Sequence, residues 1–303
     1  MEILNMKILT DEHIENLQIS PSICVQWVSD AFAMKTQCQL PPKISVHPRG
    51  RDFITTMPCL LPEPYHIFGV KVVSRMQGRH PSLRSNLMLF DTISGELKAV
   101  MDTNWITAMR TGAVAALAIH TFRNSHSSIY SFVGLGSTAH ATMRCLLSLL
   151  RDEELTIRLF RYKTQAEQFI SDYSSYSNVH FVIVNTMEEL VEGTDVLVSC
   201  ITDAQGVLVE NTSLFKPGIL VVPIHTRGFQ NCDLCFDKVF ADDIGHVKGF
   251  EYFSQFEYFD EFANVLANRE QGRRNDKERI LSYNIGIGLH DVYYSYQIYN
   301  LLQ

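Results

Sequence analysis

The sequence predicts an α/β protein in two parts, and three observations carry that expectation. Residues 129–133 form an apolar, β-rich run that meets Gly134-Leu135-Gly136 and passes into a helix-compatible stretch, Ala141 to Leu150. Further on, strand-like runs alternate with short helical ones, the pattern of a parallel sheet with crossover helices. Before residue 104, short β-rich runs follow one another with no helix between them, which predicts a separate antiparallel or mixed sheet.

Length and composition set the outer bounds. A chain of 303 residues suits one large or two medium domains. Its 26 basic and 33 acidic residues give a net charge of −7, and no basic run is present. Nucleic acid and anionic membranes are therefore not expected as partners. Uncharged stretches are too short to span a bilayer. Met1 to Thr10 has no basic start leading into an apolar segment, so no secretory signal is expected. Seven cysteines without a regular framework suit a reducing cytosol. Cys232 and Cys235 form a C-x-x-C without a second pair at zinc spacing, so no metal is expected. A cytoplasmic protein follows.

In the first part, Ser20-Pro21 offers an N-cap and a proline at the first helical position. Ile23, Trp27, Ala31 and Phe32 recur at helical spacing and predict its buried face. Strands are expected at Lys43 to His47, Phe53 to Met57, Phe68 to Met76, Leu87 to Asp91 and Leu97 to Met101, the last two joined at Ser94-Gly95. Asn104 reads as the cap of a helix running to about Phe122, in which Arg110 is the one full charge. Burying a guanidinium there is costly unless an anion meets it. That anion is either a ligand or an internal carboxylate. Lys71 is set in Phe68-Gly69-Val70-Lys71-Val72-Val73 and poses the same question. It is either an exposed edge residue or a functional amine whose pKa burial has lowered.

In the second part, Gly134 permits a tight turn and Gly136 lets backbone approach a pyrophosphate, the Rossmann arrangement. N–H groups near Ser137 and Thr138 then point at the phosphates. Leu155 to Arg161 reads as the second strand. Many NAD-preferring folds place an acidic residue at its end. Here Phe160-Arg161-Tyr162-Lys163 stands there instead. A cation at Arg161 suits the 2′-phosphate, so NADP(H) is preferred over NAD(H); a solvated basic loop is the alternative. Strands at Val179 to Val184, Val196 to Ile201 and Ile219 to Ile224 continue the series, with Met187 to Val191 as a short helix. Gly249 to Phe262 is unusually aromatic and reads as a covering segment, or else as an apolar pocket or partner surface.

These stretches resemble the ornithine cyclodeaminase/mu-crystallin family. The likeness rests on Met57-Pro58, Gly69 to Val73, Leu87 to Phe90 with Gly95-Glu96, Arg110-Thr111-Gly112-Ala113 and Gly134-x-Gly136. Gly272-Arg273, Asp276, Glu278 and Gly286-x-Gly288-x-x-Asp291 complete it. The resemblance implies a substrate-binding and dimerisation domain over residues 1–120 with 287–303, and a Rossmann domain over 121–286. It implies NAD(H) or NADP(H) bound between the domains, small amino-acid or imine substrates, and a homodimer formed through the N-terminal sheets. By resemblance Lys71 and Arg110 contact substrate. Lys43 takes the place of a family arginine that holds the substrate carboxylate, where lysine cannot offer a bidentate fork. Thr111 and His225 join Gly134, Gly136, Ser137, Thr138 and Arg161 as cofactor contacts. The catalytic aspartate of family cyclodeaminases falls on His225 when Gly228 and Asp233 anchor the alignment.

The expectation is thus an NAD(P)H-dependent oxidoreductase acting on the imine or amine carbon of a small amino acid. Lys71, with His225 as a second candidate, manages the proton on nitrogen. The alternatives are a cyclodeaminase-type lyase releasing ammonia, a siderophore-pathway-type amino-acid conjugate dehydrogenase, and a non-catalytic cofactor-binding protein.

Overall fold

A computed structural model describes residues 6–201, 206–225, 229 and 233–302. In chain order it runs β1 (Lys7–Leu9), α1 (Asp11–Glu15), α2 (Pro21–Met34), β2 (Ile44–Val46), β3 (Phe53–Leu60), β4 (Ile67–Arg75), β5 (Leu83–Asp91), β6 (Leu97–Asp102) and α3 (Asn104–Phe122). Then follow β7 (Ile129–Val133), α4 (Ser137–Leu149), β8 (Leu155–Phe160), α5 (Gln165–Asp172), β9 (Val179–Val184), α6 (Met187–Val191), β10 (Val196–Ser199) and β11 (Leu220–Pro223). The chain ends with β12 (Lys238–Ala241), α7 (Ile244–Val247), β13 (Phe259–Glu261), α8 (Phe262–Leu266), β14 (Ile280–Tyr283) and α9 (Gly288–Leu301). Two compact units result, residues 1–110 with 287–303 and residues 111–286.

The first unit is built on a six-stranded sheet in the order β1-β6-β5-β4-β3-β2. Only the β1–β6 pair is parallel, so the sheet is mixed. β1 was not legible in the sequence because three residues are too few for an alternation to show. β3 continues past the expected end at Met57, through Pro58. Leu60 turns its N–H and C=O towards Gln39, away from β4, and Pro58 faces the same way. Its missing N–H falls between the pairing with β2 and that bridge, so no sheet hydrogen bond is lost.

Alternation decides which face is covered. Met57, Cys59, Gly69, Lys71, Leu87, Leu89, Ala99 and Met101 are buried on one face, where α9 packs on β3, β4 and β5. A Cβ on Gly69 would stand 2.7 Å from Val292 Cγ2, so glycine lets α9 approach closely. α2 packs on α9 in turn, with Trp27 edge-on to Tyr294 at 5.1 Å. Ser20 caps α2 as expected, its oxygen accepting from the Ile23 N–H at 3.3 Å. Ile23 itself does not join the buried face; it is 45% exposed, at the uncovered first turn. Pro58, Val70, Met88 and Val100 lie in register across the opposite face, half-buried, with Phe68 and Phe90 one step along.

Asn104 does not cap α3. Thr103 holds the cap position, its carbonyl accepting from Thr107 N–H at 2.8 Å. Asn104 instead binds Ser85 N–H through Oδ1 and donates to Asp11, which also accepts from Trp105 N–H. The division between units falls after Arg110, inside α3, and not near residue 120. The reason is Gly112: a Cβ there would meet the Ala141 and Thr142 backbone at 2.4 Å, so this half of α3 lies directly on α4.

The second unit is built on an eight-stranded, wholly parallel sheet in the order β13-β12-β14-β11-β10-β7-β8-β9. β10, β11, β12 and β14 are buried along their full length, as strands covered on both faces must be. Strand order reverses at β7 and β10, where ligands of such sheets bind. β12, β13 and β14 were not anticipated; each has three or four residues, too short to stand out. The aromatic segment covers this core: Phe250, Phe253, Phe256 and Phe259 pack against it, and Phe262 is fully buried. Among the described residues no helix is long and apolar enough to cross a membrane.

Candidate active site

Each unit carries one cluster of the expected site residues. In the first, the alternation of β4 puts Lys71 on the buried face beside Gly69 and Val73, leaving 1% of it exposed. α3 brings in Arg110, 5% exposed. α9 supplies what both cations meet: Lys71 Nζ donates to Asp291 Oδ1 at 2.8 Å, and Arg110 Nε donates to the same oxygen at 3.0 Å. The internal ion pair considered for Arg110 therefore exists. It does not neutralise the cluster, because two buried cations share one carboxylate. Asp291 Oδ2 has no hydrogen-bond partner among the described residues.

The electrostatics follow from that imbalance. Burial pulls Lys71 down; Asp291 opposes the shift while Arg110 and Lys43 add to it, and the amine is lowered to about 8. For Asp291, burial favours the neutral acid, but Arg110 and Lys71 outweigh it and hold the carboxyl below its ordinary value. Lys43 is exposed, just before β2. A buried excess of positive charge, with an amine that titrates near neutrality, is suited to an anionic ligand and to proton transfer.

In the second unit, β7 runs into Gly134 at φ +82°, where a Cβ would stand 2.7 Å from the Cys200 and Ile201 backbone. Gly136 is the cap residue of α4 and has no side chain to cap it; among the described residues a Cβ there would meet nothing within 4 Å. Gly136 and Ser137 are exposed and Thr138 is half-buried. The first N–H groups of a helix have no partner inside it. An uncapped thirteen-residue helix entered through two glycines thus fits a phosphate group. Ala139, fully buried, stands near the place of the missing third glycine. Thr111 is buried on α3 next to Gly112.

His225 lies at the end of β11, with Nε2 2.7 Å from Ser199 Oγ at the end of β10. Its ring stacks on Phe229 at 6.1 Å. Gly228, one anchor of the alignment, lies outside the described residues. Asp233, the other, is buried and accepts from the Tyr283 hydroxyl at 2.5 Å. Arg161 follows β8 and is nearly half exposed; it donates to Asn185 Oδ1 at 3.1 Å and to Glu167. Cys232 lies outside the described residues, and no metal-binding cluster occurs among those described.

Two participants were missed. Asp291 stands in the Gly286-x-Gly288-x-x-Asp291 stretch as the only full charge in α9, as Arg110 is in α3. That shared feature was the available signal. Ser199 gave none, since a serine ending an apolar strand is ordinary.

Comparison with known proteins decides the family, whose model, the ornithine cyclodeaminase/mu-crystallin family, matches residues 5–303. The chain belongs to that family. Nodulation efficiency protein NfeD of Rhizobium meliloti is 26% identical over 87% of this chain and 84% of its own. Alanine dehydrogenase of Archaeoglobus fulgidus is 26% identical over 94% and 91%. In fold, the chain is similar to Thermococcus litoralis Δ1-pyrroline-2-carboxylate reductase in complex with NADH and L-proline. That likeness has a TM-score of 0.84 at 22% identity and covers 97% of this chain and 96% of the other. Two of the relatives, the alanine dehydrogenase of Archaeoglobus fulgidus and the Δ1-pyrroline-2-carboxylate reductase of Bacillus cereus, are oxidoreductases by name.

Proposed function

We propose that this protein is a nicotinamide-dependent oxidoreductase acting on the carbon–nitrogen bond of a small amino or imino acid. The observation that carries the reading is the buried, net-positive cluster of Lys71 and Arg110 on the single oxygen Asp291 Oδ1. The dinucleotide, when bound, supplies or accepts hydride at the carbon bearing nitrogen. The chain's own residues do the rest. Arg110 and Lys43 hold the substrate carboxylate; Lys71, charged below about 8, gives a proton to the imine nitrogen and takes it back in the oxidative direction. His225 is the second candidate for that proton. The alternative of an inert binding protein fits poorly with so costly a set of buried charges.

Gly134, Gly136, Ser137 and Thr138 cradle the pyrophosphate, with Thr111 and His225 as further cofactor contacts. Arg161 supports the phosphorylated cofactor, since it is a cation where NAD-selective folds place a carboxylate. The 2′-phosphate then draws the guanidinium from Glu167. Arg161→Ser should weaken NADPH at least ~tenfold and leave NADH unchanged; equal weakening of both, or of neither, removes Arg161 from the cofactor site.

A second copy of the chain is proposed on the outer sheet face, where Pro58, Val70, Met88 and Val100 form an apolar row. Val70→Glu should convert a dimer to a monomer in light scattering.

The direct test is cofactor absorbance with cyclic ketimine acids, or with 2-oxo acids plus amines, against NADPH and NADH. Oxidation of reduced cofactor supports the reading. Ammonia released from ornithine or lysine without net cofactor turnover establishes the lyase instead.

A further inference from the structure

Two thiols meet beside the charged cluster, and the proposed reaction uses neither. Cys59 is fully buried on β3, opposite Gly69. Cys38 is half-buried in a bend after the short 3₁₀ turn Lys35–Gln37 that follows α2. The residue after each, Gln39 and Leu60, forms an isolated antiparallel bridge with both N–H···O distances at 3.0 Å. That antiparallel doublet sets Cys38 and Cys59 diagonally across the bridge from each other. Their side chains are in hydrogen-bond contact. Cys38 Sγ also reaches the Met34 carbonyl at 3.4 Å.

The two sulfurs are unequal. The hydrogen bond from Cys59 holds the Cys38 thiol below its ordinary value, against the opposing effect of burial. Cys59 is pushed up by that same contact, by burial and by the nearby charge of Asp291. The more exposed sulfur, Cys38, is the one a soluble disulfide can reach, and the buried Cys59 is its neighbour. A nucleophile with a resolving thiol has this arrangement.

We propose that Cys38 and Cys59 form a dithiol modification site that is oxidised by a low-molecular-weight disulfide. Cys38 thiolate attacks one sulfur of that disulfide, whose S–S bond breaks and releases one thiolate. Cys59 then gives up its proton and attacks Cys38 Sγ, which breaks the mixed bond and releases the second thiolate. Two cysteines are oxidised, one disulfide is reduced to two thiols, and the two cysteine protons end on those thiols. The second step is intramolecular, so the burial of Cys59 is no obstacle. Cys38 makes the movement to an S–S bond of about 2 Å. Its N–H bonds the Lys35 carbonyl at 3.2 Å and its neighbour Gln39 holds the isolated bridge, whereas Cys59 is fixed within the sheet. The new bond ties the segment leading to Lys43 onto the strand beside Asp291.

The experiment incubates the whole purified protein with oxidised glutathione and maps cysteines by mass spectrometry of unreduced digests. The expected result is a Cys38–Cys59 crosslink with loss of two hydrogens from the intact mass, reversed by dithiothreitol. Cys59→Ala should stop at a stable glutathione adduct on Cys38. Persistent adduct on Cys38 in the unaltered protein, no reaction at either residue, or crosslinks confined to other cysteines each overturn the proposal.

Discussion

Lys71 Nζ lies 2.8 Å from Asp291 Oδ1 although 220 positions separate them in the chain. Arg110 donates to the same oxygen from a third element. One carboxylate thus serves two buried cations, and its removal is the most informative single change. Asp291→Asn should cost about 3–5 kcal/mol, the usual penalty for leaving buried charge uncompensated. Thermal unfolding measures it. Lys71→Met in the same background should restore part of the loss; simple additivity would mean that the two charges are not coupled.

The amine also sets a pH limit. Lys71 must be charged to donate its proton, so imine reduction should be flat below about 8. Above that value kcat/KM should fall ~tenfold per pH unit. Lys71→Gln should abolish most activity and remove this limb from what remains. A limb that survives the substitution belongs to another group, and His225→Gln then identifies or excludes the histidine.

The same titration acts on stability with a definite sign. The folded-state value, about 8, lies below the ordinary 10.5, so protonated Lys71 works against folding. The penalty is complete below about 8 and disappears as pH rises from there towards 10.5. Denaturant midpoints on either side of that window should show the gain, and Lys71→Met should flatten it. Asp291 has the opposite sign: its lowered value contributes stability above the ordinary carboxylate range, and that contribution is lost as pH falls through the lowered value.

Glycines of the second unit separate fold from ligand. Gly112→Ala drives a methyl into backbone at 2.4 Å and should cost at least ~1–3 kcal/mol. Gly134→Ala combines a φ of +82° with a contact at 2.7 Å and should be similarly harmful. Gly136→Ala meets open space at φ −90°. It should leave the melting temperature nearly unchanged and still weaken NADH or NADPH more than ~tenfold, measured by fluorescence titration.

Much of this molecule was legible in its sequence. The strand-glycine-helix passage at 129–149 and the β-rich run before residue 104 show their periods over many residues, so local pattern and tertiary structure agree. Lys71 and Arg110 were visible for the opposite reason, as charges that contradict their surroundings. What stayed hidden depends on distant partners. The strand character of residues 238–241 comes from pairing with 280–283 and 259–261, not from their own composition. Asn104 looks like a cap, yet its side chain turns to the Ser85 N–H and to Asp11, partners far away in the chain. Ile23 fits the helical stripe but falls where nothing covers it. Arg161 falls one residue past the end of β8, and its tie to Glu167 rests on the turn into α5.

The helix that carries Asp291 follows the whole of the second unit in the chain, although it belongs to the first. During translation, Lys71 and Arg110 therefore leave the ribosome long before their counter-charge exists. The socket at Gly69 also waits empty until Val292 arrives. The second unit can fold as a continuous stretch during synthesis, while the first must wait for its last element. Chains truncated after residue 286 and released from the ribosome should for that reason be protease-sensitive over residues 1–110 and resistant over 111–286.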